Sequence, residues 1–216
     1  MNLERARYYS ENMDRLMHTD RLFLNNPLFI TGLGLAPIVM AATSLSNAVI
    51  LGLAVLLLLT PTRVLAALLA RHTYPRFRGL VYALCAAIIY IPVYLIEHAI
   101  FGVGIETVGL YLPLLVVEPI VIKRYERSQQ EALPVALRKG ISTTLGFLIA
   151  LFVTAALREF LAFGTLFGFA LTAQGGFPMA SSTAGGFLLI GLLAALWRWL
   201  GNLFKKYVNL EAKQQL

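Results

Sequence analysis

Charge is what this sequence has least of. Only 13% of its 216 residues are Asp, Glu, Lys or Arg, against about 25% in a soluble domain. An ordinary soluble globular fold is therefore excluded. Cysteine is nearly absent as well. The single thiol, Cys85, excludes an internal disulfide and any cysteine-ligated metal site built by this chain alone. There is no lysine-bearing glycine loop, no catalytic triad and no paired histidine set. The first 26 residues hold no long apolar run, so no signal peptide is expected.

Apolar residues dominate instead, at 58% of the chain with a mean hydropathy of +0.74. Six spans of about 20 residues would occupy roughly 120 positions, close to the apolar total. Six apolar segments are found: Leu28–Ala42, Ala48–Ala70, Leu80–Phe101, Val108–Ile122, Ile141–Phe163 and Ser182–Phe204. The first and fourth are short and interrupted by Gly and Pro. The fold class expected is an all-α integral membrane protein with six spans. Upstream, Leu3, Tyr9, Met13, Leu16 and Met17 recur among charges at roughly helical spacing. They fit an amphipathic helix on the membrane surface or a helix packed on a neighbour.

The net charge of +7 comes from 18 basic and 11 acidic residues, and the basic ones sort by segment. Arg5, Arg7, Arg15 and Arg21 precede the first span, and Arg63, Arg71, Arg76 and Arg78 surround the second connection. Lys123, Arg124, Arg127, Arg138 and Lys139 follow the fourth span; Arg198, Lys205, Lys206 and Lys213 close the chain. The intervening connections hold none. This alternation follows the positive-inside rule and puts both termini in the cytoplasm. Only Arg158 departs from it. The charge excess thus records topology, and no nucleic-acid partner is expected. The expected organisation is a cytoplasmic segment 1–26, three-span repeats at 27–107 and 108–204, and a cytoplasmic tail 205–216.

The two short segments read alike. Ala36-Pro37-Ile38-Val39 falls on Glu118-Pro119-Ile120-Val121. Each opens a group of three spans, so the halves would be inverted repeats. Broken segments at matching places in inverted halves point to a midmembrane site, here Gly34, Ala36, Pro37, Glu118 and Pro119. By the helical rise, Ala36 and Glu118 lie about 13 and 15 Å into their spans. Two readings of Glu118 stand: a proton or Na⁺ site, or a carboxyl that caps broken-helix donors or meets a partner. Glu97 and Arg158 lie near the outer ends of their spans. Glu97, Arg158 and Glu159 form a candidate structural ion pair, with Arg158 meeting either carboxylate. His98 reads as a polar interface residue. Gly185, Gly186 and Gly191 read as positions of close helix packing.

Several stretches, in order, carry a family resemblance: Asn25-Asn26-Pro27, Gly34-Leu35-Ala36-Pro37, Ser46-Asn47-Ala48, Gly109–Pro119, Leu157-Arg158-Glu159, Gly164-Thr165-Leu166-Phe167 and Gly185–Leu193. With them the chain resembles the six-span membrane subunits of the Rnf electron-transport complex and the sodium-pumping NADH:quinone oxidoreductase. It is most similar to the E-type subunit of the former and the D-type subunit of the latter. The resemblance implies a bacterial inner-membrane location and a homologous six-span subunit as neighbour. It also implies partner subunits carrying flavin and iron–sulfur groups. In the family, two such subunits share a [2Fe-2S] centre, each giving one cysteine from the first span and one from the fourth. Here those positions read Ala36 and Glu118, so no metal ligand is expected from this chain and no cofactor bound by it alone. With no catalytic centre of its own, the chain is not expected to be an enzyme in isolation. Two alternatives stand beside the E-type redox subunit. One is an ion or solute transporter subunit that kept the fold without the redox role; the other is a membrane scaffold for complex assembly.

Overall fold

The computed structural model describes residues 20–121, 132–172 and 176–213. The expected N-terminal amphipathic helix and the basic residues Lys123, Arg124 and Arg127 lie outside these residues. Helix is the dominant state. The helices are α1 (Leu35–Ala41), α2 (Leu45–Leu69), α3 (Arg78–Phe101), α4 (Tyr111–Leu114), α5 (Leu133–Phe163) and α6 (Thr183–Lys213). A small antiparallel hairpin, β1 (Thr165–Leu166) and β2 (Phe169–Ala170), joins α5 to α6.

Four stretches are long and apolar enough to cross a membrane: Leu45–His72, Pro75–Thr107, Leu133–Phe163 and Thr183–Tyr207. They match the second, third, fifth and sixth expected spans. The first and fourth expected spans are not continuous helices. Between Asp20 and Gly34 the chain runs as turns, and only Leu35–Ala41 is helical. Gly32 and Gly34, at φ +70° and +73°, take the left-handed conformation that ends regular helix. In the later segment, Gly109 also has positive φ. Only Tyr111–Leu114 and a 3₁₀ turn at Leu115–Val117 are helical there. Glu118 is extended at φ −62°, ψ 135°, because the ring of Pro119 disfavours helical geometry in the residue before it.

The core forms around α2, which packs against both α5 and α3. The α2–α5 seam uses small and hydroxyl side chains. Gly140 faces Thr60, Gly52 faces Leu148 and Leu151, and the Thr60 and Thr144 hydroxyls share a 3.0 Å hydrogen bond. Without water to drive apolar association, close backbone approach and hydroxyl bonds hold membrane helices together. α3 and α6 carry many exposed large apolar residues, among them Ile88, Ile91, Leu95, Leu188 and Leu192. α6 continues unbroken past the expected boundary at Phe204 to Lys213.

Candidate functional site

The two short helical segments meet: α1 packs against α4. A buried backbone break needs a partner for every freed donor and acceptor, and α1 shows how this chain supplies them. Gly34 begins α1, and a Cβ there would lie 2.4 Å from the Phe147 ring. Gly34 thus serves both the left-handed turn and the close seat on α5. Pro37 is in the first turn, where a missing N–H costs nothing.

At the other end of α1, Arg158 of α5 closes the helix. It is 0% exposed. Its Nη1 donates to the carbonyls of Ile38, Val39 and Ala42 at 3.1, 2.8 and 3.1 Å. Nε donates to Ala180, and Nη2 to Ser181 and Ser182. The planar fork of guanidinium donors suits this convergence of carbonyls. Asn47 takes the remaining end, its Nδ2 donating to Ala41 O at 3.2 Å while its Oδ1 accepts from the Thr107 hydroxyl.

Glu159 does the complementary work on donors. Its Oε2 accepts from the Leu45 N–H at 2.7 Å, at the start of α2. Its Oε1 accepts from the Gly168 N–H at 2.9 Å and from the Thr165 hydroxyl. The expected ion pair of Glu97, Arg158 and Glu159 is therefore replaced. Arg158 is saturated by carbonyls and Glu159 by donors, because freed helix ends of both polarities converge on the end of α5. Glu97 is buried at 1% exposure, and its Oε1 has no hydrogen-bond partner. His98 is exposed on α3, with its ring 6.1 Å from that of Tyr94.

Glu118 is half-buried and Pro119 and Ala36 are exposed. Cys85 packs with Ala66 and Tyr82 in a cluster separate from the main core that holds α1 and α4 residues. The donor set does not fit an iron–sulfur centre. Ala36 offers a methyl group, Glu118 a hard carboxylate, and the only thiol lies elsewhere. Among the described residues no group of three His, Cys, Asp or Glu side chains is placed to hold a metal ion.

Asn26 has a larger role than its sequence position announces. It is fully buried; Nδ2 donates to Gly146 O at 2.8 Å, and Oδ1 accepts from the N–H groups of Leu28 and Phe29. The first segment is thereby tied to the middle of α5. A Cβ at Gly146 would meet Arg21 O at 2.1 Å, so glycine is required for this contact. The signal available was a polar Asn-Pro pair at the mouth of an apolar run. Gly185 and Gly186 pack internally, against Met179 O and the Arg158 guanidinium, while Gly191 faces open space.

Membrane-length apolar helices built around two broken segments define a polytopic α-helical integral membrane protein. A family model described as "Rnf-Nqr subunit, membrane protein" matches residues 15–194, and the chain belongs to this family. Among its relatives is the E-type subunit of the ion-translocating oxidoreductase complex of Thioalkalivibrio sulfidiphilus, 31% identical over 84% of this chain and 87% of the relative. The corresponding E-type subunit from Shewanella oneidensis is 34% identical over 81% and 82%. The E-type subunit of the proton-translocating ferredoxin:NAD(+) oxidoreductase complex of Clostridium ljungdahlii is 29% identical over 81% and 84%.

Proposed function

We propose that this chain is the E-type integral membrane subunit of an ion-translocating oxidoreductase complex of the Rnf kind. It holds six crossings as two inverted repeats, 27–107 and 108–204, with the segment 1–26 and the tail 205–216 on the cytoplasmic side of a bacterial inner membrane. The contact of α1 with α4 carries this reading. Each short segment precedes two membrane-length helices, the arrangement in which inverted halves bring broken helices together. Relatives described as E-type subunits of such complexes support the assignment. The partners are a homologous six-span subunit and the subunits bearing flavin and iron–sulfur groups.

This subunit supplies no thiolate to a centre between the two broken segments, since Ala36 and Glu118 stand at those positions. It is not catalytic alone. Gly34, Ala36, Pro37, Glu118 and Pro119 form the midmembrane region, and Glu118 is its candidate ion site. A further carboxyl, Glu97, buried and with an unpartnered oxygen, supports an ion-conducting role, because such groups are costly inside a bilayer unless used. The missing thiolates favour a second reading, a transporter subunit without a redox role.

Purification through a tag on this chain separates the readings. Co-purification of flavin- and iron–sulfur-bearing subunits is expected; recovery of the chain without them favours the transporter. Within the purified complex, Glu118→Gln is expected to lower ion-coupled activity. Unchanged coupling removes Glu118 from the ion path.

A further inference from the structure

The hairpin after α5 has a conformation and an exposure that the interior of the chain does not require. Its two-residue turn is Phe167-Gly168, with φ +52° and +78°. Two positive φ angles belong to the tight hairpin turn that Asn-Gly usually occupies. Phe167 is the one non-glycine with positive φ among the described residues. Glu159, buried below, holds this turn through Gly168 N–H and the Thr165 hydroxyl. The side chains around it are left outside. Phe169 is 77% exposed and Leu171 60%, and Phe167, Phe177 and Met179 are exposed as well.

The patch is uncharged throughout. No Asp, Glu, Lys or Arg occurs between Glu159 and Arg198. Its depth follows from α5. From Ile141, just after the basic pair Arg138 and Lys139, to Phe163 the helix rises about 33 Å, close to the roughly 30 Å of a bilayer's hydrocarbon core. The hairpin therefore begins at the boundary opposite the basic end. α6, which follows the turn at Pro178–Ser181, also leaves Phe187, Leu188 and Leu192 exposed.

We infer that the Thr165–Ala170 hairpin is a lipid-interface anchor, setting Phe167, Phe169 and Leu171 into the headgroup–acyl boundary of the bilayer face away from the basic residues. A carboxylate-held turn keeps the aromatic side chains outside the fold, and their apolar area returns free energy only when something beyond the chain covers it. Amphipathic interfacial elements set Phe and Leu side chains into this level of a membrane. Phospholipid is the occupant favoured by the missing charge and by the membrane-length α6 that follows, whose large apolar side chains are exposed too. The inference rests on the crossing of the bilayer by α5.

The test replaces Phe169, and separately Leu171, with photoreactive benzoylphenylalanine in the full chain in native membranes. Leu145, exposed midway along α5, is the reference position. After irradiation, mass spectrometry is expected to find phospholipid adducts at 169 and 171. A cross-link to another polypeptide at both positions, or no adduct at either, overturns the inference. An adduct with lipid or with a neighbouring subunit at Leu145 reports that α5 is embedded, so failure at the hairpin then counts against the anchor alone. Absence of any adduct at Leu145 overturns the crossing of α5, and the anchor with it.

Discussion

Arg158 Nη1 lies 2.8 Å from the carbonyl oxygen of Val39, across 119 positions of sequence. This contact joins the end of a membrane-length helix to the end of a helix of seven residues. A helix that short leaves as many carbonyls unpaired as it pairs. Within a membrane protein those carbonyls have no water to turn to. One guanidinium, with five donors in a fixed plane, serves Val39 and Ala42, adds to the Ala42 N–H already held by Ile38, and reaches three more carbonyls in the turn before α6.

Replacing Arg158 with Met is expected to leave the carbonyls of Val39, Ala42, Ala180 and Ser181 without the guanidinium, while those of Ile38 and Ser182 keep the N–H groups of Ala42 and Gly186. The loss of stability should exceed about 3 kcal/mol, the scale of breaking a buried charge-assisted network. Arg158→Lys keeps the charge but loses the fork, and is expected to recover only part of the loss. Thermal unfolding of the purified protein in detergent reads both variants. A wild-type midpoint for Arg158→Lys would show that charge, and not the spread of donors, holds α1.

Glu159→Gln tests the opposite polarity at the neighbouring residue. The carboxylate offers two acceptor oxygens, one to Leu45 N–H and one to Gly168 N–H. An amide keeps one acceptor and turns a donor toward the other N–H group. The expected cost is about 1–3 kcal/mol, that of a buried donor left unpaired. Amide hydrogen exchange locates it: protection should fall at Leu45 or at Gly168 and stay unchanged along the middle of α2.

Much of this architecture was legible because the signals are local. Gly34 before Pro37, and Glu118 before Pro119, mark breaks through backbone rules that act within a few residues. The four long helices follow from apolar runs of membrane length. The polar network was not legible in the same way. Arg158 reads as half of an ion pair because carboxylates are visible in a sequence, whereas its actual acceptors are backbone carbonyls. Every residue has a carbonyl, so those of Val39 and Ser181 carry no mark. Asn26 and Gly146 were hidden likewise, since their bond spans 120 positions and ends on a main-chain oxygen.

Glycines within α6 separate close packing from mere tolerance. A Cβ at Gly185 would lie 2.0 Å from Met179 O, a main-chain atom that cannot step aside. Gly191, less than two turns further on, has nothing within 4 Å. Gly185→Ala is expected to displace the start of α6 and to lower the yield of folded protein. Gly191→Ala is expected to be neutral or to stabilise by up to about 1 kcal/mol, from helix propensity alone. Detergent-solubilised yield and thermal midpoint decide it. Equal behaviour of the two variants would contradict the packing at Gly185.

Phe167 offers the reverse case, a residue whose removal should help. At φ +52° a β-carbon crowds the following carbonyl, at a cost of about 1–2 kcal/mol, and its exposed ring gains little from the chain's own interior. Asn tolerates this conformation best among residues with a side chain. Phe167→Asn is therefore expected to raise the midpoint of thermal unfolding in detergent, by about 1 kcal/mol of stability. Phe167→Ala, which keeps the β-carbon and the strain, is expected to leave it nearly unchanged. A gain for Ala equal to that for Asn would trace the effect to loss of the exposed ring instead of relief of the backbone. A loss for both would show that the ring packs on the chain itself.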